Sequence, residues 1–135
     1  MADFPSNYRS MIVKDGVLPK AGNLLNYDAT SGAGTVDLTA NGDACFFIAL
    51  DESSRDADQA LVTAGATITA LPVGGMAYVL ITASEAIVAG QVLYVAASGL
   101  ATKVAGSNKI LGHYLGSALT TAADTLYAVN TKQTN

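Results

Sequence analysis

Between residues 89 and 132 the chain repeats one device: a short run rich in Val, Leu, Ile, Ala and Tyr, closed by a cluster of turn-forming residues. Runs at 92–96, 100–104, 110–119 and 125–131 are separated by Ser98-Gly99, Gly106-Ser107-Asn108 and Thr120-Thr121-Ala122-Ala123-Asp124. Such punctuation at short intervals predicts antiparallel strands and an all-β fold. The tighter constraint is that the runs are apolar on both sides. Successive side chains of a strand point to opposite faces, so Val92, Tyr94 and Ala96 oppose Leu93 and Val95, and Met76, Tyr78 and Leu80 oppose Val79 and Ile81. A free-standing antiparallel sheet usually keeps one polar, wetted face. Here both faces need cover and the chain offers little helix to supply it. Neighbouring copies of the chain are the cover this pattern predicts.

Composition points the same way. At 135 residues the chain is long enough for one domain with a substantial core. Charged residues make up only 13%, against about 25% in ordinary soluble domains, while 50% are hydrophobic. That balance suits a protein that hides much of its surface in an assembly. The net charge is −4 and the seven Lys and Arg residues are scattered without a run, which argues against a nucleic-acid partner. The sole cysteine, Cys45, excludes an intrachain disulfide and a cysteine-based zinc site. Its neighbours Ala44, Phe46, Phe47 and Ile48 predict a buried, inert thiol. Residues 1–7 lack the basic-then-apolar pattern of a secretory signal. Residues 59–84 carry no charge, yet Pro72, Gly74, Gly75 and recurrent Thr predict two strands and a turn rather than a membrane-spanning helix. A soluble protein without a membrane partner is expected.

Residues 1–25 differ from the rest, with no sustained period of 2 or 3.6. Their pattern predicts an extended N-terminal arm, ordered by what it lies against, followed by a single β domain over 26–135. A frayed terminus with an edge hairpin over 11–18 is the alternative. In the arm, Phe4, Pro5, Tyr8, Met11 and Ile12 are candidate partner-binding anchors, and Arg9 offers a forked cation to a partner's carboxylate. Pro5 keeps the segment extended and removes a backbone donor. Beyond a loop at 28–34, strands are expected at 35–38, 44–50, 66–71 and 76–82, with Asn41-Gly42 as a hairpin turn. Asp51, Glu52, Asp56 and Asp58 mark a solvated protrusion. There Ser54 could N-cap a short helix carrying Ala57, Ala60, Leu61 and Ala64 on one stripe, an irregular loop being the other reading.

No catalytic constellation emerges. His113 is the only histidine, and a general base needs a nucleophile and an orienting carboxylate, which the sequence does not place beside it. A polar residue on a half-exposed strand is the simpler reading. The acidic cluster lacks calcium-loop spacing. Gly32-Ala33-Gly34 and Gly74-Gly75 lack the Lys-Ser/Thr ending of a phosphate cradle, so turn chemistry accounts for them. Tyr78, Tyr94, Tyr114 and Tyr127 fall inside apolar strands and suit core or interface packing better than sugar stacking. No enzyme activity, metal or cofactor is expected.

The run Ala89-Gly90-Gln91-Val92-Leu93-Tyr94-Val95 with Gly99, then Lys109-Ile110-Leu111-Gly112, then Ala122-Ala123-Asp124-Thr125-Leu126-Tyr127-Ala128-Val129, resembles the capsid cement, or head decoration, proteins of tailed bacteriophages. Lys20-Ala21-Gly22-Asn23-Leu24-Leu25 is similar to the segment entering that family's body. The resemblance covers the last third of the chain well and the rest loosely; the acidic loop and the Ala/Thr-rich middle depart from it. It implies a β-sandwich or β-tulip-like body with at most one short helix, made in the host cytoplasm. It further implies homotrimers on the outer capsid surface of the virion, bound to the major capsid protein, with no catalysis. The competing expectations are a noncatalytic carbohydrate- or receptor-binding β module, and a noncatalytic β domain of a larger cell-surface assembly.

Overall fold

The computed structural model describes residues 8–28, 34–52 and 54–132. The first five strands are β1 (Arg9–Val13), β2 (Leu24–Tyr27), β3 (Thr35–Leu38), β4 (Phe47–Ala49) and β5 (Thr67–Pro72). They are followed by β6 (Met76–Leu80), β7 (Ala86–Ile87), β8 (Val92–Val95), β9 (Ala101–Thr102), β10 (Ile110–Tyr114), β11 (Leu119–Thr120) and β12 (Leu126–Thr131). One 3-10 turn at Ala97–Gly99 is the helical content among the described residues. The body is all-β, as the turn rhythm predicts. The first five strands close into a barrel in the order β1-β3-β2-β4-β5. A five-stranded sheet, β6-β12-β10-β8-β9, packs on its side, and β7 and β11 pair separately.

The barrel corrects the reading of the N-terminal region. β1 runs antiparallel to β5, with Arg9 opposite Ala70 and Ile12 opposite Thr67, and parallel to β3, with Val13 opposite Val36. Residues 9–13 are therefore barrel wall rather than an arm, because Arg9–Ile12 pair with β5 and Ile12 and Val13 pair with β3 as well. The hairpin over 11–18 does not form either: β1 takes its partners from β3 and β5. Phe4 and Pro5 lie outside the described residues.

Alternation along the barrel strands explains why both of their faces are apolar. Val13, Leu25, Val36, Phe47 and Ile68 fill the interior, and Ala49, Ala66 and Ala70 provide the small side chains that a narrow barrel needs. Leu24 and Ile48 point the other way, onto the sheet, where they join Cys45 and Val73 against Val79, Leu93, Val95, Leu111 and Val129. Complete burial of each such side chain contributes about 1.5–3 kcal/mol. One of the sheet's two apolar faces is thus covered by the chain's own barrel.

Two glycines set how closely neighbouring segments approach, one between barrel and sheet and one within the sheet. Gly22 has φ +89, and a Cβ there would collide with the Leu126 side chain. Its N–H donates to the Ala49 carbonyl at 2.8 Å and its carbonyl accepts from the Leu80 N–H at 2.9 Å, so it ties barrel to sheet. A Cβ at Gly112 would overlap the Asn130 backbone, where β10 meets β12. Gly74 and Gly75 are accounted for locally, since both N–H groups reach the Thr131 hydroxyl, at 3.0 and 3.3 Å.

The short helix does not form at the acidic protrusion. The Asp56 carboxylate accepts from the backbone N–H of Asp58 and Ala60, at 2.8 and 3.1 Å, which gives the backbone an alternative to helical bonding. Gln59 adopts φ 65, and Arg55 bridges to Leu61, closing the segment as a loop.

Candidate functional site

None of the strands β6, β8, β10 and β12 contains a charged residue. Their pairing arranges the side chains that point away from the barrel into rows. Met76 lies opposite Asn130, Asn130 opposite His113, and His113 opposite Val92. Tyr78 lies opposite Ala128, whose carbonyl accepts from the Leu115 N–H at 2.9 Å. Ile110, beyond an irregularity in β10, lies opposite Tyr94. The alternation Met76-Ala77-Tyr78-Val79 is the device at work: Ala77 and Val79 go into the core while Met76 and Tyr78 stay 56% and 54% exposed.

Met76, Tyr78, Val92 and Ile110 are exposed on this face, and at its β6 edge Met76, Tyr78 and Leu126 border a recess shared with Ala21, Ala49, Leu50 and Leu71 of the barrel side. A cluster of exposed large apolar side chains without formal charge, interrupted by Asn130 and His113, marks a candidate interaction site. Exposed Lys109 and Lys132 flank β10 and β12, and Lys20, Glu52 and Asp124 border the sheet at Leu80 and Leu126. His113 is half-buried in the middle of this face, on the central strand. Its cross-strand neighbours, Asn130 and Val92, supply neither a nucleophile nor a carboxylate.

The described residues among those singled out as anchors do not gather there. Arg9 and Met11 line one open end of the barrel, in company with Tyr27, Phe46, Phe47 and Pro72. Ile12 is 52% exposed on the barrel wall between Thr35 and Thr67. Tyr8 borders a recess with Leu50, Asp51 and Thr69. The sequence reading did not identify Tyr27 as part of any site. Its one signal was a ring beside the loop that begins at Asp28.

The remaining polar candidates are occupied structurally. Arg55 binds Glu52 at 2.7 Å and the Gln59 carbonyl at 2.5 Å, so the acidic loop holds itself together. Among the described residues no group of three or more His, Cys, Asp or Glu side chains is placed to hold a metal. Cys45 is buried, and burial pushes its thiol up to about 12, against smaller opposing effects from hydrogen bonds with the Leu25 and Phe47 backbone.

No protein-family model matches the chain, and no curated protein matches it. Among solved structures it is similar to the crystal structure of the head fiber gp8.5 N base in bacteriophage phi29, with a TM-score of 0.66 and 14% identity. The similarity covers 95% of this chain and 97% of that one. At that identity the likeness is one of fold, and it extends over barrel and sheet together.

Proposed function

We propose that this protein is a noncatalytic structural component of a tailed-phage virion. In this reading it decorates the outer surface of the head and clamps neighbouring subunits of the major capsid protein. The observation that carries the proposal is the charge-free face of the β6-β12-β10-β8-β9 sheet, whose exposed Met76, Tyr78, Val92 and Ile110 ask for a protein partner and have no covering layer among the described residues. The fold shared with a phage head fiber base supports the virion setting. The face is assigned to contacts between copies, in a homotrimer. A three-fold ring uses heterologous contacts, so each copy presents this face to a different surface of the next, and the ring closes without leaving a free one. Many modest apolar contacts repeated over a symmetric shell then resist outward pressure together.

The test is sedimentation and capsid binding. Wild-type protein is expected to sediment as a trimer at micromolar concentration, and Tyr78→Glu, which places a charge on the exposed β6 side of the contact, as a monomer with an unchanged far-UV spectrum. Electron microscopy of particles incubated with each should show density on the outer shell for wild type and reduced occupancy for the variant. A wild-type monomer that leaves capsids bare, or that binds a glycan through Tyr78 and Tyr94, would overturn the reading in favour of a carbohydrate-binding module.

A further inference from the structure

β6 ends its sheet, and the hydrogen bonds at its two ends show which of its backbone groups are open. The Thr131 N–H donates to the Gly75 carbonyl at 2.8 Å, on the β12 side, whereas the Leu80 N–H turns the other way, to the Gly22 carbonyl at 2.9 Å. Backbone groups alternate in direction along an antiparallel pair. Those of Ala77 and Val79 are therefore directed at β12, and those of Met76 and Tyr78 face away from it. The N–H and C=O groups of Met76 and Tyr78 have no partner among the described residues. Gly22 covers the Leu80 end of this edge and leaves the Met76–Tyr78 end open. Beside the open end lies a recess of about 310 Å3 between sheet and barrel, bordered by Leu50, Leu71 and Leu126 and by no charged residue. Soluble proteins blunt such edges with a charge, a proline or a bulge. Met-Ala-Tyr-Val-Leu carries no charge and no proline, and its register with β12 is unbroken from Met76 to Leu80. An edge left without any of these devices is one that something covers.

We infer that the Met76–Tyr78 edge takes in an extended, uncharged segment of the major capsid protein as an additional strand. The inference rests on the virion reading above and adds to it the means of attachment. Open N–H and C=O groups in line along a strand are matched by another backbone in extended form, with alternate side chains free to enter a neighbouring pocket. The recess supplies that pocket, and its lack of charge calls for small or apolar residues on the incoming segment. Charged groups lie beyond its Leu80 end, where Lys20 pairs with Asp124 at 3.2 Å and Glu52 is close by, as a polar rim. The same edge of a second copy would make an isologous, two-fold contact, which a three-fold ring cannot use. With the sheet face given to contacts between copies, the edge that borders it is left to hold the shell.

The test removes one backbone donor. Met76 is the first residue of β6 and its N–H faces outward, so Met76→Pro deletes an edge donor while the bonds to β12 remain. Met76→Ala, which loses the side chain and keeps the donor, is the control. Both full-length proteins are added to capsids purified without this protein, once far-UV spectra and sedimentation match those of wild type. Met76→Pro should bind about tenfold more weakly than Met76→Ala. Should Met76→Pro fail to fold, quenched hydrogen exchange on wild type gives the reading without a substitution. On capsids the Met76 and Tyr78 amides should exchange about tenfold more slowly than in the free protein, while those of Ala77 and Val79 are slow in both states. Decorated capsids with unchanged exchange at Met76 and Tyr78, or equal binding by the two variants, would overturn the inference and leave the virion role standing. Slow exchange at those two amides without capsids, together with a species larger than a trimer in sedimentation, would overturn it by assigning the edge to a second copy. Capsids left bare by wild type would overturn the virion reading and this attachment with it.

Discussion

Single residues carry clear consequences where burial or close approach leaves no freedom. Cys45 stays protonated in the native chain to about 12, while an unfolded chain ionises near 9.0. Between those values the unfolded form has lost a proton that the native form keeps, so stability falls as pH rises through that window. Urea midpoints of wild type should therefore drop more steeply above pH 9 than those of Cys45→Ala, and a thiol reagent at pH 8 should label Cys45 only after unfolding. Gly112 is a packing case. A methyl group at this position overlaps the Asn130 backbone in the middle of the sheet, so Gly112→Ala must push β10 away from β12. A loss of about 1–3 kcal/mol is expected from such overpacking, read as a lowered urea midpoint.

At the level of elements, local alternation was legible and partnership was not. β3, β6, β8 and β12 fall within residues 35–38, 76–82, 92–96 and 125–131, because Val, Leu and Tyr recur there at a period of two between turn residues. β2 escaped notice since Leu24-Leu25-Asn26-Tyr27 is too short to establish a period. β1 looked like an arm for a different reason: its partners lie far along the chain in β5 and β3, and one of the pairings is parallel. Nothing local in Arg9–Val13 encodes that. Of the two readings of 57–64, the irregular loop holds over the short helix, because the Asp56 carboxylate makes its bonds within the loop. The barrel mouth was half legible, in Arg9 and Met11; its rings come together only when the ends of β2 and β4 meet. β1 also sets a truncation limit. Removing residues 2–7 should leave a cooperative melt, whereas removal through Val13 opens the barrel between β3 and β5 and should abolish it, as followed by thermal denaturation.

For the whole molecule, the sequence showed that the sheet had two apolar faces but not that the barrel would cover one of them. Adjacent residues on β6 should therefore respond in opposite ways to a charge. Val79→Glu places a carboxylate in the fully buried layer and should cost more than about 4 kcal/mol, enough to unfold a marginal domain. Tyr78→Glu should leave the melting temperature of the monomer within a few degrees of wild type and act only on association. The order of the sheet has a further consequence during synthesis. Of the described strands β12 is the last to be synthesised, yet its place is in the interior of the sheet, between β6 and β10. The barrel can close while the chain is still being made, but until β12 inserts, β6 and β10 each expose an unpaired edge flanked by apolar side chains. Such edges are templates for aggregation and targets for chaperones and proteases. A chain cut short before Leu126 should therefore carry a folded barrel and a sticky, incomplete sheet, a state that cellular quality control can recognise before it reaches an assembling particle.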